Sequence, residues 1–124
     1  MSSLGVVIVS HVSEIAEGVA KLVQQAGPDV SVTYVGGTED GGIGSSMDRV
    51  LNAIESNEKE ELLAFFDLGS AKMNLEMAAE FTDKEILVQY VPLVEGSFAA
   101  VALIQAGANK EDILAQLKAM TIEK

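Results

Sequence analysis

The sequence predicts a single α/β domain built on a doubly wound open sheet of about four parallel strands, with helices on both faces. The main observation is that short β-branched runs alternate with amphipathic segments along the chain. Such alternation is typical of a parallel sheet with right-handed helical crossovers. The runs are also largely apolar, as strands covered on both faces must be. The length of 124 residues suits one core, so we expect residues 1–124 to form one domain.

Four runs have the length of single strands and are predicted to form the sheet. They are Leu4–Val9, Val30–Val35, Leu62–Phe66 and Ile86–Val91. Val30–Val35 alternates between apolar and polar residues more than the other three do.

The first two segments between strands have the spacing of amphipathic helices. In the first, Ser13 is the predicted N-cap and Gly27-Pro28 is the predicted stop. Its apolar face consists of Ile15, Val19, Leu22, Val23 and Ala26. The second helix repeats the pattern with Ile43, Met47, Val50, Leu51 and Ile54.

Three further helices are predicted in the second half of the chain, over Met73–Phe81, Ser97–Ala106 and Lys110–Met120. Asn109, with Asp112 three positions later, resembles a capping box at the start of the last helix. Met73 and Met77 lie one helical turn apart, and we expect them to pack in the core.

Charge and composition exclude several classes of function. Eight basic and nineteen acidic residues give a net charge of −11, which argues against nucleic acid and anionic membranes as partners, since both require clustered Lys and Arg. The acidic surface is either a solvated face or one that steers a basic protein partner. No secretory signal and no apolar stretch of about 20 residues is evident, so we predict a cytoplasmic protein. With one histidine and no cysteine, a zinc site is not expected. We also expect no cofactor.

Ligands of doubly wound sheets bind beyond the carboxyl ends of the strands. That rule selects four loops, which are Ser10–Ser13, Gly36–Ser46, Asp67–Lys72 and Pro92–Ser97. The connections at the other end of the sheet are expected to be structural.

His11 and Asp67 are the candidate catalytic residues of these loops. His11 closely follows the first strand and precedes the first helix, whose N-terminus favours an anion beside the imidazole. Asp67 occupies the equivalent place after the third strand. It is either a turn or helix cap, or a carboxylate that accepts a hydrogen bond from one imidazole nitrogen and leaves the other nitrogen nucleophilic. The second interpretation requires the first and third strands to be neighbours.

The loop Gly36–Ser46 contains five glycines in eleven residues. It is either a flexible connection or a backbone cradle for phosphate oxygens. Neither the Gly-Lys-Ser/Thr ending of a P-loop nor the complete dinucleotide-binding fingerprint is present. The candidate phosphate-binding residues are Gly37, Thr38, Ser45 and, after the third strand, Ser70.

Together these motifs resemble the mannose-type enzyme IIA family of the bacterial sugar phosphotransferase system (PTS). The likeness covers nearly the whole chain, and its motifs are Val6–Ser13, Gly36–Ser46, Phe66–Ala71 and Pro92–Gly96. The resemblance implies that His11 accepts a phosphoryl group from the phosphohistidine of the carrier protein HPr. It also implies that Asp67 pairs with the imidazole and that the domain works as a homodimer. No metal is expected at this step, because donor and acceptor are both histidines.

The resemblance leaves two acceptors open. In the branch linked to dihydroxyacetone kinase, the phosphoryl group passes to ADP on the nucleotide-binding subunit, which works with a substrate-binding subunit. In the sugar transporters it passes to a IIB domain. The loop here reads Asp67-Leu68-Gly69-Ser70-Ala71, without the Gly-Gly-Ser/Thr-Pro ending of the transporters, and this favours the kinase-linked branch.

Two other classes of protein compete with the phosphoryl carrier. A receiver-like signalling domain would use Asp67 as phosphoacceptor, but it would need an acidic pair after the first strand, where Ser10-His11 stands. A small flavodoxin-like binding module would need a first loop rich in hydroxyls and glycine, and Ser10–Ser13 has no glycine.

Overall fold

The computed structural model describes residues 3–124, which form one four-stranded sheet flanked by helices. The strands are β1 (Leu4–Ser10), β2 (Val32–Gly36), β3 (Glu61–Phe66) and β4 (Glu85–Gln89). The helices are α1 (Ser13–Ala26), α2 (Met47–Ser56), α3 (Gly69–Glu80), α4 (Leu93–Gln105) and α5 (Lys110–Lys118). No helix within residues 3–124 is both long and apolar enough to cross a membrane.

The strand order is β2-β1-β3-β4, and every pairing is parallel. The predicted doubly wound sheet is therefore confirmed, and so is the adjacency of the first and third strands. Val9 of β1 lies opposite Phe66 of β3, so the two central strands end at the same level. The chain leaves them toward opposite sides of the sheet, which makes their carboxyl ends the topological switch point where such folds bind ligands.

Two apolar layers cover the sheet. One consists of residues from α1, α4 and α5 packed around Ile8 and Phe65, and the other of residues from α2 and α3 packed around Val7 and Phe66. Because neighbouring residues of a strand point to opposite faces, consecutive apolar residues serve both layers. All seven residues of β1 are buried, which explains why its sequence is an almost unbroken apolar run.

Four predicted helix starts were wrong. α3 begins at Gly69 and α4 at Leu93, each four residues before its predicted start, so most of the predicted loop Pro92–Ser97 is helical. Val12, not Ser13, occupies the N-cap position of α1, and Ser13 is the first helical residue. The cap of α2 is Ser46, whose hydroxyl accepts the N–H of Arg49, so Ile43 lies outside the helix and 82% of it is exposed. A hydroxyl placed before an apolar repeat indicates a helix start only to within a few residues, because a cap requires extended backbone as well as a suitable side chain.

The prediction that Met73 and Met77 pack in the core was also wrong, since 67% and 42% of these residues are exposed. The buried face of α3 is instead formed by Ala71, Leu75 and Ala78. Both sets have helical spacing, so the spacing alone does not identify which face is buried. The predicted cap of α5 is confirmed, because the Asn109 side chain accepts the N–H of Asp112 at 2.8 Å.

Candidate functional site

Asp67 is the central acceptor at the carboxyl ends of β1 and β3. Its Oδ2 accepts the Ser10 hydroxyl at 2.8 Å and the backbone N–H of His11 at 2.9 Å. Its Oδ1 accepts the backbone N–H of Leu68 at 2.7 Å and lies 2.8 Å from Nδ1 of His11. These four contacts, made from both central strands, fix the carboxyl group in one orientation.

The same contacts determine the charge of Asp67. Burial by itself raises the pKa of this carboxyl, but hydrogen bonds from the His11 backbone, the His11 ring, Ser10 and Leu68 outweigh burial and hold the pKa below its ordinary value. Hydrogen bonds to an ionised carboxylate favour the charged form. Asp67 is therefore a carboxylate at neutral pH and can only accept hydrogen bonds.

The contacts of the His11 ring assign different roles to its two nitrogens. Because Asp67 is an acceptor, Nδ1 must carry the ring proton, and this network assigns the lone pair to Nε2. The Ser70 hydroxyl lies 2.5 Å from Nε2 and must therefore donate to it. The His11 side chain is 14% exposed, so the ring is largely enclosed and still reaches solvent.

Two helices begin close to this ring. α1 begins at Ser13, two residues after His11, and α3 begins at Gly69, next to Ser70. The N-cap residues of these helices are Val12 and Leu68, whose side chains cannot accept a hydrogen bond. The first N–H groups of a helix lack intrahelical acceptors and carry partial positive charge. An anion bound beside Nε2 would therefore meet two sets of N–H donors.

The glycine loop packs against the turn that contains His11. The N–H of Gly44 donates to the carbonyl oxygen of His11 at 2.9 Å. A Cβ on Gly36 would collide with the carbonyl of Val12, and a Cβ on Gly37 would lie 2.8 Å from another backbone oxygen of the loop. Gly37 also has φ +80°, which favours glycine. The glycines therefore allow the backbone of the loop to pack directly against the backbone of the turn that contains His11.

Of the candidate phosphate-binding residues, only Ser70 makes a direct contact with the imidazole. Gly37 lies beside the site, but its N–H donates to the carbonyl of Ser10 at 3.3 Å. This N–H group is therefore already engaged in holding the loop against β1.

Thr38 and Ser45 make their hydrogen bonds away from the imidazole. The Thr38 hydroxyl donates to Asp40 at 2.5 Å, inside the glycine loop. The Ser45 hydroxyl accepts the side-chain N–H of Asn74 at 2.6 Å, which ties the loop to α3. In this arrangement both residues shape the loop, and the loop in turn supports His11.

Two residues of this edge had no role predicted from the sequence. Ser10 is buried and bridges the site, because its hydroxyl donates to Asp67 and accepts the N–H of Val12. A polar residue at the end of a wholly apolar strand was the available signal. The other is Lys124, whose Nζ donates to the carbonyl oxygens of Phe66 and Val91, at 2.7 Å each. Lys124 is far from the site along the chain, so no local sequence pattern indicated its contacts.

Exposed apolar side chains lie next to the polar site. Ile43, 82% exposed, precedes the glycine that binds the His11 carbonyl, and Leu68, 61% exposed, follows Asp67 directly. These two apolar side chains are therefore accessible to a protein partner that approaches the site. Among residues 3–124, no group of three or more His, Asp or Glu side chains is arranged to hold a metal ion.

Comparison with known proteins adds sequence and structural relatives. The family described as PTS system fructose IIA component matches residues 5–114. The phosphotransferase subunit DhaM of a PTS-dependent dihydroxyacetone kinase from Lactococcus lactis is 55% identical, over 97% of this chain and 98% of that protein. The phosphoryl donor subunit DhaM of PEP-dependent dihydroxyacetone kinase 1 from Listeria innocua is 49% identical, over 96% of each chain. A crystal structure of a protein of unknown function superposes with a TM-score of 0.85 at 27% identity, covering 99% of this chain and 98% of that one.

Proposed function

The chain belongs to the PTS fructose IIA component family, and from this membership we propose that it is the phosphoryl carrier of a PTS-dependent dihydroxyacetone kinase. His11 is the residue that is phosphorylated, and HPr is the donor. A carrier supplied by HPr works in the cytoplasm. The observation on which the proposal rests is the chain of contacts from Asp67 through the His11 ring to Ser70, beside two uncapped helix N-termini.

The first transfer follows from the two roles of the ring nitrogens. The bond between phosphorus and the donor imidazole breaks while a bond from phosphorus to Nε2 of His11 forms, and the donor ring leaves with the electron pair. Nδ1 keeps its proton, so the ring becomes positively charged, and the Asp67 carboxylate offsets that charge. The Ser70 hydroxyl has to turn from Nε2 toward a phosphoryl oxygen as the group arrives. The helix N–H groups stabilise the remaining oxygens.

The second transfer reverses this chemistry toward a different acceptor. The bond from phosphorus to Nε2 breaks, a bond to the terminal phosphate of ADP forms, and ATP is regenerated on the nucleotide-binding kinase subunit. High identity to two DhaM subunits along their whole length favours this acceptor. The description of the family as a fructose component keeps a sugar-transporter IIB domain as the second candidate.

Intact-protein mass spectrometry tests the carrier role and the acceptor together. After incubation with enzyme I, HPr and phosphoenolpyruvate, we expect the chain to gain one phosphoryl group. Adding the dihydroxyacetone kinase subunits with ADP should remove that group. A gain that only a IIB domain discharges would reject the kinase acceptor, and no gain would reject the carrier role.

We also propose that the carrier is a homodimer. The resemblance to the mannose-type enzyme IIA family supports this state. Sedimentation equilibrium checks it, because the expected mass is twice that of the 13.1 kDa chain. A mass of one chain at micromolar concentration would contradict it.

Leu68 provides a test of the protein-docking surface. We expect Leu68→Asn to slow phosphorylation by phospho-HPr about tenfold, because a docked partner must exclude water around the ring and about 1–3 kcal/mol of apolar burial would be lost. The matched control is Phe81→Asn, which removes an equally exposed apolar residue (65% against 61%) just beyond the other end of α3. Rapid-quench kinetics at low HPr concentration measures both. Equal rates for the two variants would show that Leu68 lies outside the interface.

A further inference from the structure

The segment after α5 returns to the carboxyl edge of the sheet. The N–H of Ile122 donates to the carbonyl of Tyr90 at 2.8 Å, just beyond the end of β4. Two residues later, Lys124 lies against Gly69, the first residue of α3. Residues 121–124 therefore lead from the far end of α5 to the site around Asp67 and His11.

The ammonium group of Lys124 joins two structural elements at this edge. Its Nζ donates to the carbonyl oxygen of Phe66, the last residue of β3, and to that of Val91, which follows β4 and precedes α4. It also lies 4.4 Å from the centre of the Phe66 ring, within the range of a cation–π contact. Because Phe66 directly precedes Asp67, this contact fixes the backbone that carries the catalytic carboxylate.

The charge of Lys124 also acts on the site. Partial burial lowers the pKa of its ammonium, while the nearby Asp67 carboxylate acts in the opposite direction. The attraction is mutual, so the ammonium favours the ionised form of Asp67. The single arginine, Arg49, is engaged elsewhere, because it donates to the carbonyl of Gly36 at the end of β2.

A phosphorylated His11 has a particular need for positive charge. The phosphoryl group brings about two negative charges close to the Asp67 carboxylate, in a chain whose net charge is already −11. Each helix N-terminus supplies roughly half a positive charge, whereas Lys124 supplies a full one in a partly buried position where screening by salt is weak.

We propose that Lys124 is a positioning residue for phosphoryl transfer, which holds the end of β3 in place and offsets the negative charge of Asp67 and the phosphoryl group. This inference rests on the proposed role of His11 as the phosphorylated residue. In this role Lys124 does not touch the reacting atoms.

Lys124→Met tests the inference, because methionine keeps much of the aliphatic length and removes the charge and the donors. We expect the maximal rate of phosphorylation by phospho-HPr to fall about tenfold, the cost of one weakened charge interaction. The half-saturating HPr concentration should change little, since the ammonium group is engaged with the carbonyl oxygens of Phe66 and Val91. Lys124→Arg should restore most of the rate. The control is Lys118→Met, which removes an exposed lysine of α5 and should leave the rate unchanged.

The readout that separates the charge from simple stabilisation of the fold is the pKa of Asp67, followed by carbon NMR of its carboxyl group. It should rise in Lys124→Met and stay constant in Lys118→Met. If Lys124→Met does not fold, Lys124→Gln carries the same comparison. A wild-type chain that is never phosphorylated would reject the function proposed for His11. A phosphorylated wild type with equal rates and equal Asp67 titrations in the two methionine variants would reject the role of Lys124 alone.

Discussion

Asp67→Asn is expected to slow phosphoryl transfer to His11 by at least about 10²-fold while the domain stays folded. The carboxylate accepts from both sides, so whichever way the new amide turns, its NH₂ group must face the N–H of Leu68 or that of His11. If it turns toward Leu68 it also faces Nδ1 of the ring, and the tautomer with the proton on Nε2 becomes favoured. In either orientation the negative charge that offsets the phosphorylated ring is lost. Rapid-quench transfer kinetics from phospho-HPr gives the factor.

Asp67→Asn should also change how the free energy of unfolding depends on pH. The pKa of Asp67 in the folded protein lies below its ordinary value: burial raises it, but four hydrogen bonds outweigh burial. A group of this kind stabilises the fold above its unfolded pKa of about 3.9, and that stabilisation is lost as pH falls through the folded pKa. The difference in unfolding free energy between wild type and Asp67→Asn should therefore be largest near neutrality and shrink below about pH 4. Urea unfolding at pH 7 and pH 3 measures it.

Asp83→Asn is the matched control for both measurements. Asp83 is an exposed aspartate in the turn before β4, so its replacement makes the same chemical change away from the site. We expect normal transfer and no comparable pH dependence. Transfer at the wild-type rate in Asp67→Asn would reduce Asp67 to a turn residue that only joins β1 to β3.

The sheet could be predicted because each strand can be recognised from its own residues. Consecutive apolar residues in β1 and β3 are required where both faces are covered, and this requirement is visible in the sequence. The second strand was predicted two residues early, at Val30, because a buried valine in the turn after α1 resembles the strand it precedes. Val30 is buried, yet its N–H donates to the carbonyl of Gly27 and β2 begins at Val32. A hydrophobic pattern indicates that a residue is buried, but a buried residue need not pair in a strand.

Helix starts were less predictable because they depend on backbone conformation. α3 begins at Gly69, four residues before the predicted start, and this difference places Ser70 in its first turn, against the ring of His11. Glycine and serine are weak helix formers, so the sequence around them favours a loop. Tertiary contacts from β1 to this turn through Asp67 override that local preference.

The contact between His11 and Asp67 could be predicted on one condition, which is that the first and third strands are neighbours. The topology fulfils that condition. The contribution of Lys124 could not be anticipated, because it lies 57 positions after Asp67 and no periodic pattern links this lysine to a strand end. Contacts of this kind depend on how α5 packs, because that packing directs the following segment toward the site.

His11→Ala is expected to abolish phosphoryl acceptance, because it removes the single imidazole of the chain and no other side chain near Asp67 is a comparable nucleophile at neutral pH. The fold should persist, since the backbone N–H of His11 still donates to Asp67 and its carbonyl still accepts from Gly44. Intact-protein mass spectrometry with enzyme I, HPr and phosphoenolpyruvate should detect no mass gain, and circular dichroism should match the wild type.

His11→Asn separates loss of the nucleophile from loss of the hydrogen bond. Its side-chain amide can still donate to Asp67 from near the position of Nδ1, but it has no counterpart of Nε2. If the phosphoryl group is carried on Nε2, as we propose from the contacts with Asp67 and Ser70, this variant should be as inactive as His11→Ala while retaining more of the native stability. A phosphorylated His11→Asn protein would mean that the phosphoryl group resides on another residue. The roles proposed for His11, Asp67 and Lys124 at this edge would then be wrong.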